Sequence, residues 1–279
     1  MDFPTDIQLF KGQYYIRGYK NGKRTQYKEK CTPYLFVSSN KKSMYRTLDG
    51  QNAKRVDFDS AGEARKFVKE YENTAGIEVY GMTNFQYPWL NDTFPGDIKW
   101  QPETIKVLSL DIEVYSGNGF PHADVAKEMF TGITCGLNGH YTVFAYEGFE
   151  IKPDFRIPEE NITLVTCENE RHMLRQFVKF FQDTDPDVLT GWNIDGFDIP
   201  YIINRLNNVF GEGAANKLSP WEMVHSRKVR DQWKNERTIW SIVGVASADY
   251  MELYKKFEMV KPDSYKLDNI AYIVLGRKK

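Results

Sequence analysis

Residues 187–201 read Asp187-Val188-Leu189-Thr190-Gly191-Trp192-Asn193-Ile194-Asp195-Gly196-Phe197-Asp198-Ile199-Pro200-Tyr201. The opening residues are a short apolar run stopped by a glycine, which predicts a buried strand. A polar loop with a second glycine follows. Residues 198–210 then carry Ile202, Ile203, Leu206, Val209 and Phe210 at helical spacing. Strand, loop and helix in that order predict an α/β unit. Asp198 at the helix start is favoured by the macrodipole and by free amides. Taken alone it reads as an ordinary N-cap, and Asn193 as an ordinary turn residue. The cluster nonetheless follows a strand edge, where α/β sites gather.

Upstream, residues 105–114 read Ile-Lys-Val-Leu-Ser-Leu-Asp-Ile-Glu-Val, a buried strand with acids near its end. Asp111 and Glu113 are two apart, so both point to one face, while Leu108, Leu110 and Ile112 point to the other. Two acids on one face repel, and a divalent cation is the simplest compensation. Oxygen-only ligands suit Mg²⁺ or Mn²⁺. A solvated Asp-x-Glu on an exposed edge is the plain alternative. With Asp198 added, Asp111 and Glu113 would complete an acidic metal site.

Between these stretches Ile133, Cys135 and Leu137 alternate as a second strand, residues 141–146 as a third, and residues 162–165 as a short fourth. Residues 168–183 form a helix with Met173, Leu174, Phe177, Val178 and Phe181 on one face. Three antiparallel-type strands, a helix and another strand suggest a mixed sheet with helices against it.

The first hundred residues read as a smaller α+β domain. Asn21-Gly22 between residues 13–17 and 24–28 is a strong hairpin signal. Residues 34–37 make a short apolar strand, and residues 77–80 another. Ser60-Ala61-Gly62-Glu63 has capping-box spacing ahead of Phe67, Val68 and Tyr71. Turn formers at residues 91–97 and Pro102 place a boundary within residues 92–104, giving domains 1–103 and 104–279.

Composition narrows the function. Hydrophobic residues are 41% and charged residues 27% of 279, which excludes disorder over the whole length. Lys and Arg number 37 against 38 acids, so a generally basic nucleic-acid binder is excluded while a local basic stripe is not. Cys31, Cys135 and Cys167 are far apart, which argues against a Cys-based zinc site or a disulfide framework. The first twenty residues lack the apolar core of a signal peptide. No run approaches the ~18 apolar residues of a membrane span, so a soluble intracellular protein is expected. The histidines show no ligand spacing, and the sequence has no GxSxG, P-loop or GxGxxG fingerprint.

Together these stretches resemble one family. SLDIEVYSGNGFP at residues 109–121 resembles the first exonuclease motif of family B DNA polymerases, and TGWNIDGFDIPYIINRL at residues 190–206 resembles the second. Residues 249–256, followed by residues 264–268, are similar to the segment just before the third. The style is that of T-even-type tailed-phage replicative polymerases. The resemblance is weakest over residues 1–60.

It implies a polymerase N-terminal domain, then an RNase H-like 3′–5′ proofreading exonuclease domain. Asp111, Glu113 and Asp198 would be its catalytic, metal-binding carboxylates around two Mg²⁺ or Mn²⁺ ions. Asp111 would bridge the ions, Glu113 would serve the one near the attacking water, and Asp198 the second. Asn193 would contact a frayed primer 3′ end of DNA, and Phe120 would lie against the terminal bases. The cytoplasm of an infected bacterial host is the implied location.

Two departures matter. The family's third motif, a Tyr-x-x-x-Asp pair, does not occur in the last thirty residues, and the polymerase carboxylates are absent too. The expectation is a fragment or one half of a split polymerase, with the other half as its partner and weak or no activity alone. Two alternatives stand beside it. One is a non-catalytic DNA-binding and docking subunit. The other is a stand-alone nuclease that takes a last carboxylate from Asp249, Asp263 or Asp268.

Residues 229–242 suggest a hairpin with a polar tip at Lys234, Asn235, Glu236 and Arg237, flanked by Trp233 and by Ile239 and Trp240. In the resembling family such a hairpin helps part primer from template, which adds Trp233 and Asn235 to the DNA-binding candidates. Arg227, Lys228 and Arg230 just before it would track phosphates. A plain surface hairpin and a solvated basic face are the alternatives.

Overall fold

In the computed structural model, residues 1–117, 119–150, 157–230, 236–259 and 261–277 are described. The chain divides into two units, Met1–Gln101 and Pro102–Lys279. In the first, β1 (Phe3–Phe10), β2 (Gln13–Lys20) and β3 (Lys23–Lys30) form an antiparallel sheet. Lys20 pairs with Lys23 across the two-residue turn, where Asn21 and Gly22 hold φ of 52° and 70°. Those positive φ values match the strand twist, which is why Asn-Gly predicts the hairpin.

A second sheet runs β5 (Tyr45–Arg46), β6 (Asn52–Asp57), β4 (Tyr34–Ser38), β7 (Val79–Tyr80). Of the expected strand at residues 77–80, two residues pair. Helix α1 (Ala61–Tyr71) begins at Ser60, whose hydroxyl accepts from the Glu63 amide at 3.1 Å. Glu63 reaches back to the Asp59 amide, one residue before the cap. Helix α2 (Gln86–Thr93) takes up part of the expected linker. Tyr14, Ile16, Leu35, Phe58, Ala64 and Phe85 share the core of this unit.

The second unit is built on a six-stranded mixed sheet. Its strands are β8 (Val107–Val114), β9 (Phe130–Leu137), β10 (His140–Tyr146), β11 (Ile162–Cys167), β12 (Val188–Gly191) and, further along the chain, β15 (Ala246–Asp249). The spatial order is β11-β10-β9-β8-β12-β15. The pairs β8–β9 and β9–β10 are antiparallel, while β10–β11, β8–β12 and β12–β15 are parallel.

Helix α3 (Glu170–Thr184) carries the chain from the β11 edge to β12 and buries Met173, Leu174, Phe177 and Phe181. Burial of side chains of this size contributes roughly 1.5–3 kcal/mol each. Helix α4 (Asp198–Phe210) follows β12 and buries Ile199, Ile202, Ile203 and Leu206. A two-stranded ribbon, β13 (Val224–Arg230) with β14 (Glu236–Ile242), precedes β15. Helices α5 (Tyr250–Phe257) and α6 (Leu267–Leu275) come last. No helix among the described residues is long and apolar enough to cross a membrane.

Because β8, β12 and β15 run parallel, their carboxyl ends share one edge of the sheet. Helix α4 starts there. Open α/β sheets place ligands outside the carboxyl ends of their strands.

Candidate active site

Asp111 and Glu113 are exposed on β8, and Leu108, Leu110 and Ile112 between and before them are buried. The alternation read from the sequence is therefore present. Gly132 lies opposite Glu113 in the β8–β9 register, and the pairing shifts immediately beyond it, at Val114.

Strand β12 pairs with β8 only as far as Thr190 and Ser109. Beyond that point the chain turns away at Gly191. A Cβ there would sit 2.5 Å from the Leu110 carbonyl oxygen, so the approach requires glycine. The Ile112 amide lies past the end of the pairing, and the Asp198 carboxylate takes it at 3.1 Å. Asp198 is thus not a plain N-cap. The cap position belongs to Phe197, which makes no side-chain cap bond, and Asp198 is the first helical residue with its carboxylate turned to β8.

Asp198 is 5% exposed. Burial first, then the negative charge of Asp111 and a smaller push from Asp249, together raise its carboxyl to about 7. The Ile112 amide pulls the other way but does not win. A buried acid beside a second acid is electrostatically unsatisfied, and a cation between them would relieve both.

The donor chemistry fits a hard divalent cation, since every candidate ligand is a carboxylate oxygen. Among the described residues, no three His, Cys, Asp or Glu side chains gather closely enough to form a ready ligand set. Asp111 acts electrostatically on Asp198, and Glu113 shares the exposed face of β8 with Asp111.

The loop between β12 and α4 is tied to the end of β15. Asp249 is 4% exposed, and its Oδ1 accepts from the amides of Asn193 at 3.1 Å and Met251 at 2.9 Å. Its Oδ2 accepts from the Asp195 amide at 3.1 Å. The Ser247 hydroxyl donates to Asp195, and the Trp192 indole donates to the Tyr265 carbonyl at 3.0 Å. Asn193 is left-handed, with φ 62°, and its carbonyl accepts from the amides of Gly196 and Phe197. Of the three spare acids named from the sequence, Asp249 is therefore engaged inside the fold, while Asp263 is exposed before α6 and Asp268 is exposed in the first turn of α6. The cap position of α6 is Lys266, which makes no side-chain cap bond.

A second loop bears Phe120. Its ring is 79% exposed and meets Phe197 at 5.7 Å between centroids. Phe197 meets Tyr201, and Tyr201 meets Phe130, so one aromatic row leads from surface to core. Residues 123–128 of this loop are held by α4. The Tyr201 hydroxyl donates to the Glu128 carbonyl, and the Asn204 amide to that of Ala123. Arg205 donates to the Lys127 carbonyl and Asn208 to that of Val125. Arg205 also pairs with Glu170 at 2.6 Å, and Glu170 accepts from the Phe130 amide.

Hydrophobic periodicity, which marks only the apolar face of α4, does not reveal these polar residues. Their spacing was a signal: 201, 204, 205 and 208 form a second stripe of helical period.

A cleft of about 280 Å³ lies between Phe120, Phe197, Pro200, Thr238 of the ribbon and Glu252 of α5. Asp111, Glu113 and Asp198 are not in its lining. In the ribbon, Arg227 and Lys228 are both exposed. As neighbours in a strand they point to opposite faces, so they do not form one stripe. Lys228 pairs with Thr238, and Arg230 pairs with Glu236 at the last described positions. Trp233, expected on the flanking strand, and Lys234 and Asn235, expected at the tip, lie outside the described residues, while Glu236 and Arg237, expected at the tip, belong to β14.

Comparison with known proteins gives a consistent result. Residues 86–270 match the family model for the DNA polymerase family B exonuclease domain. The DNA-directed DNA polymerase of Escherichia phage RB69 is 30% identical over 279 residues, covering 92% of this chain and 31% of that protein. That of Enterobacteria phage T4 is 30% identical, covering 90% and 30% respectively. The DNA polymerase catalytic subunit of human herpesvirus 8 is 28% identical over 74% of this chain. The chain spans about a third of the length of its phage relatives. With both acidic strand ends and the whole of α4 inside the matched residues, the chain belongs to the family B DNA polymerase exonuclease domain family.

Proposed function

We propose that the second unit is an RNase H-like 3′–5′ proofreading exonuclease that removes terminal nucleotides from a frayed primer end of DNA. The observation that carries this reading is the buried Asp198 carboxylate, bonded to the backbone of β8 and raised to about 7 by burial and by Asp111. Asp111 and Asp198 would hold two Mg²⁺ or Mn²⁺ ions, with Glu113 joining from the same face of β8. The chemistry supplied at these carboxylates would be activation of a water and charge neutralisation on the departing 3′-oxygen.

The remaining residues bind and orient. Asn193 presents its amide group to the terminal sugar or base from a left-handed turn. Phe120 offers an exposed ring for base stacking, a contact worth roughly 1–3 kcal/mol per base. Its backing by Phe197 fixes where that ring can lie. Lys228 on the ribbon meets phosphate. The N-terminal unit is the polymerase N-terminal domain, and the whole acts beside a polymerase active site.

The test uses end-labelled single-stranded DNA with Mg²⁺ or Mn²⁺, beside Asp111→Ala and Asp198→Ala. Metal-dependent shortening from the 3′ end, slow in this chain alone and lost in both variants, is the expected result. Shortening that survives both variants overturns the reading. Binding of the same oligonucleotide in Ca²⁺, followed by fluorescence anisotropy, covers slow chemistry. Binding that needs a free 3′ end supports the proposal, and absence of binding overturns it.

A further inference from the structure

We propose that Asp249 is a positioning residue for the 3′-end site, setting the pose of Asn193 and of the first turn of α4. This rests on the exonuclease reading above. Asp249 ends β15 and caps α5, so two regular elements fix its backbone. Its carboxylate accepts the Met251 and Glu252 amides of its own helix and the Asn193 and Asp195 amides of the motif loop. One buried group therefore spans two segments more than fifty residues apart in sequence.

The grip passes directly to the site. Holding the amides of residues 193 and 195 fixes the left-handed Asn193 between them. The Asn193 carbonyl then receives the amides of Gly196 and Phe197, and the Ile194 carbonyl receives that of Ile199. These bonds start α4 and aim Asp198 at β8. The Asn193 side chain packs over Gly196, where its Oδ1 lies 2.5 Å from the position a Cβ would take. The anchored loop thereby carries one terminus-contacting residue and one carboxylate of the site. An N-cap alone would need only the amides of residues 251 and 252.

Asp249→Asn separates positioning from folding. The amide is isosteric and keeps one acceptor oxygen for the cap, but turns a donor toward a loop N–H. Asp97→Asn, at an exposed acid in the first unit, is the control. In the full chain, hydrogen exchange at Asp195, whose amide Oδ2 holds, should rise, and exchange at Asn193 should follow as the loop loosens, while β9 amides keep their protection. Affinity for oligo(dT) in Ca²⁺ should fall about tenfold, as expected for a lost bond to a charged group. In an Asn193→Ala background, Asp249→Asn should cost little more, because both changes act through one residue.

Unchanged exchange at residues 193 and 195 overturns the proposal. So does an affinity loss that persists undiminished in the Asn193→Ala background, which would mark a general structural role. If the unaltered chain does not bind oligo(dT), the exonuclease reading fails by itself. The exchange result still decides whether Asp249 sets the loop: selective opening at residues 193 and 195 supports it, and uniform change across the sheet overturns it.

Discussion

Two loops flank the acid pair, and they are held in opposite ways. The loop from β12 to α4 is gripped by its amides, which converge on the single carboxylate of Asp249. The loop from β8 to β9 is gripped by its carbonyls, which receive a row of donors from Tyr201, Asn204, Arg205 and Asn208. The first arrangement brings one more negative charge to an acidic neighbourhood, and Asp198 registers it. The second is close to neutral, because Glu170 balances Arg205. Rigid loops near an acid pair therefore need not share its charge.

The largest expected effect breaks the neutral side. Arg205→Ala leaves Glu170 largely buried without its partner and should cost about 3–5 kcal/mol, read by urea unfolding. Arg205→Lys should recover little, since one ammonium cannot serve both Glu170 and the Ala126 and Lys127 carbonyls.

The next concerns the acidic side. The Asp198 carboxyl titrates near 7 when folded and near 4 when unfolded. Between those values the folded chain holds a proton that the unfolded chain releases. Stability in EDTA should therefore fall as pH rises from 4 to 7 and level off above. Asp198→Asn removes the titration and should be more stable by on the order of 2–4 kcal/mol at pH 8, with the gap closing toward pH 4. A gap that widens toward pH 4 would sink this account.

Smaller changes sharpen the contrast. Asn204→Ala deletes one carbonyl grip and should cost about 1–2 kcal/mol, with faster exchange confined to the loop after β8. Ser60→Ala removes an exposed, neutral cap that grips nothing beyond its own helix, and should cost about 1 kcal/mol. It sets the scale for a cap with no second task.

Much of this was legible in the sequence wherever the deciding contacts are local. Asn21-Gly22, the Ser60 cap, the apolar face of α3 and the single face shared by Asp111 and Glu113 each depend on neighbours a few residues away. The failures have non-local causes. Strand β15, Ala-Ser-Ala-Asp, has no large apolar residue, and parallel pairing with β12 makes it a strand. The same pairing turns Asp249 from a spare acid into the loop's anchor. Helix α2 went unread because its asparagine, aspartate and threonine look like a linker, while Trp89 inside it is buried in the first core. Asp198 is legible as an acid at a helix start, but its backbone partner lies 86 residues upstream, out of reach of any local pattern.

The long reach of Asp249 also has a consequence in time. The amides it holds belong to residues 54 and 56 positions earlier. At about 5–20 residues per second of synthesis, the motif loop is made about 3–11 s before its anchor exists. Throughout that interval β12 has β8 on one side and an open edge on the other. A ribosome-bound chain ending before residue 249 should thus carry both acids of the pair and still lack the loop that aims one at the other.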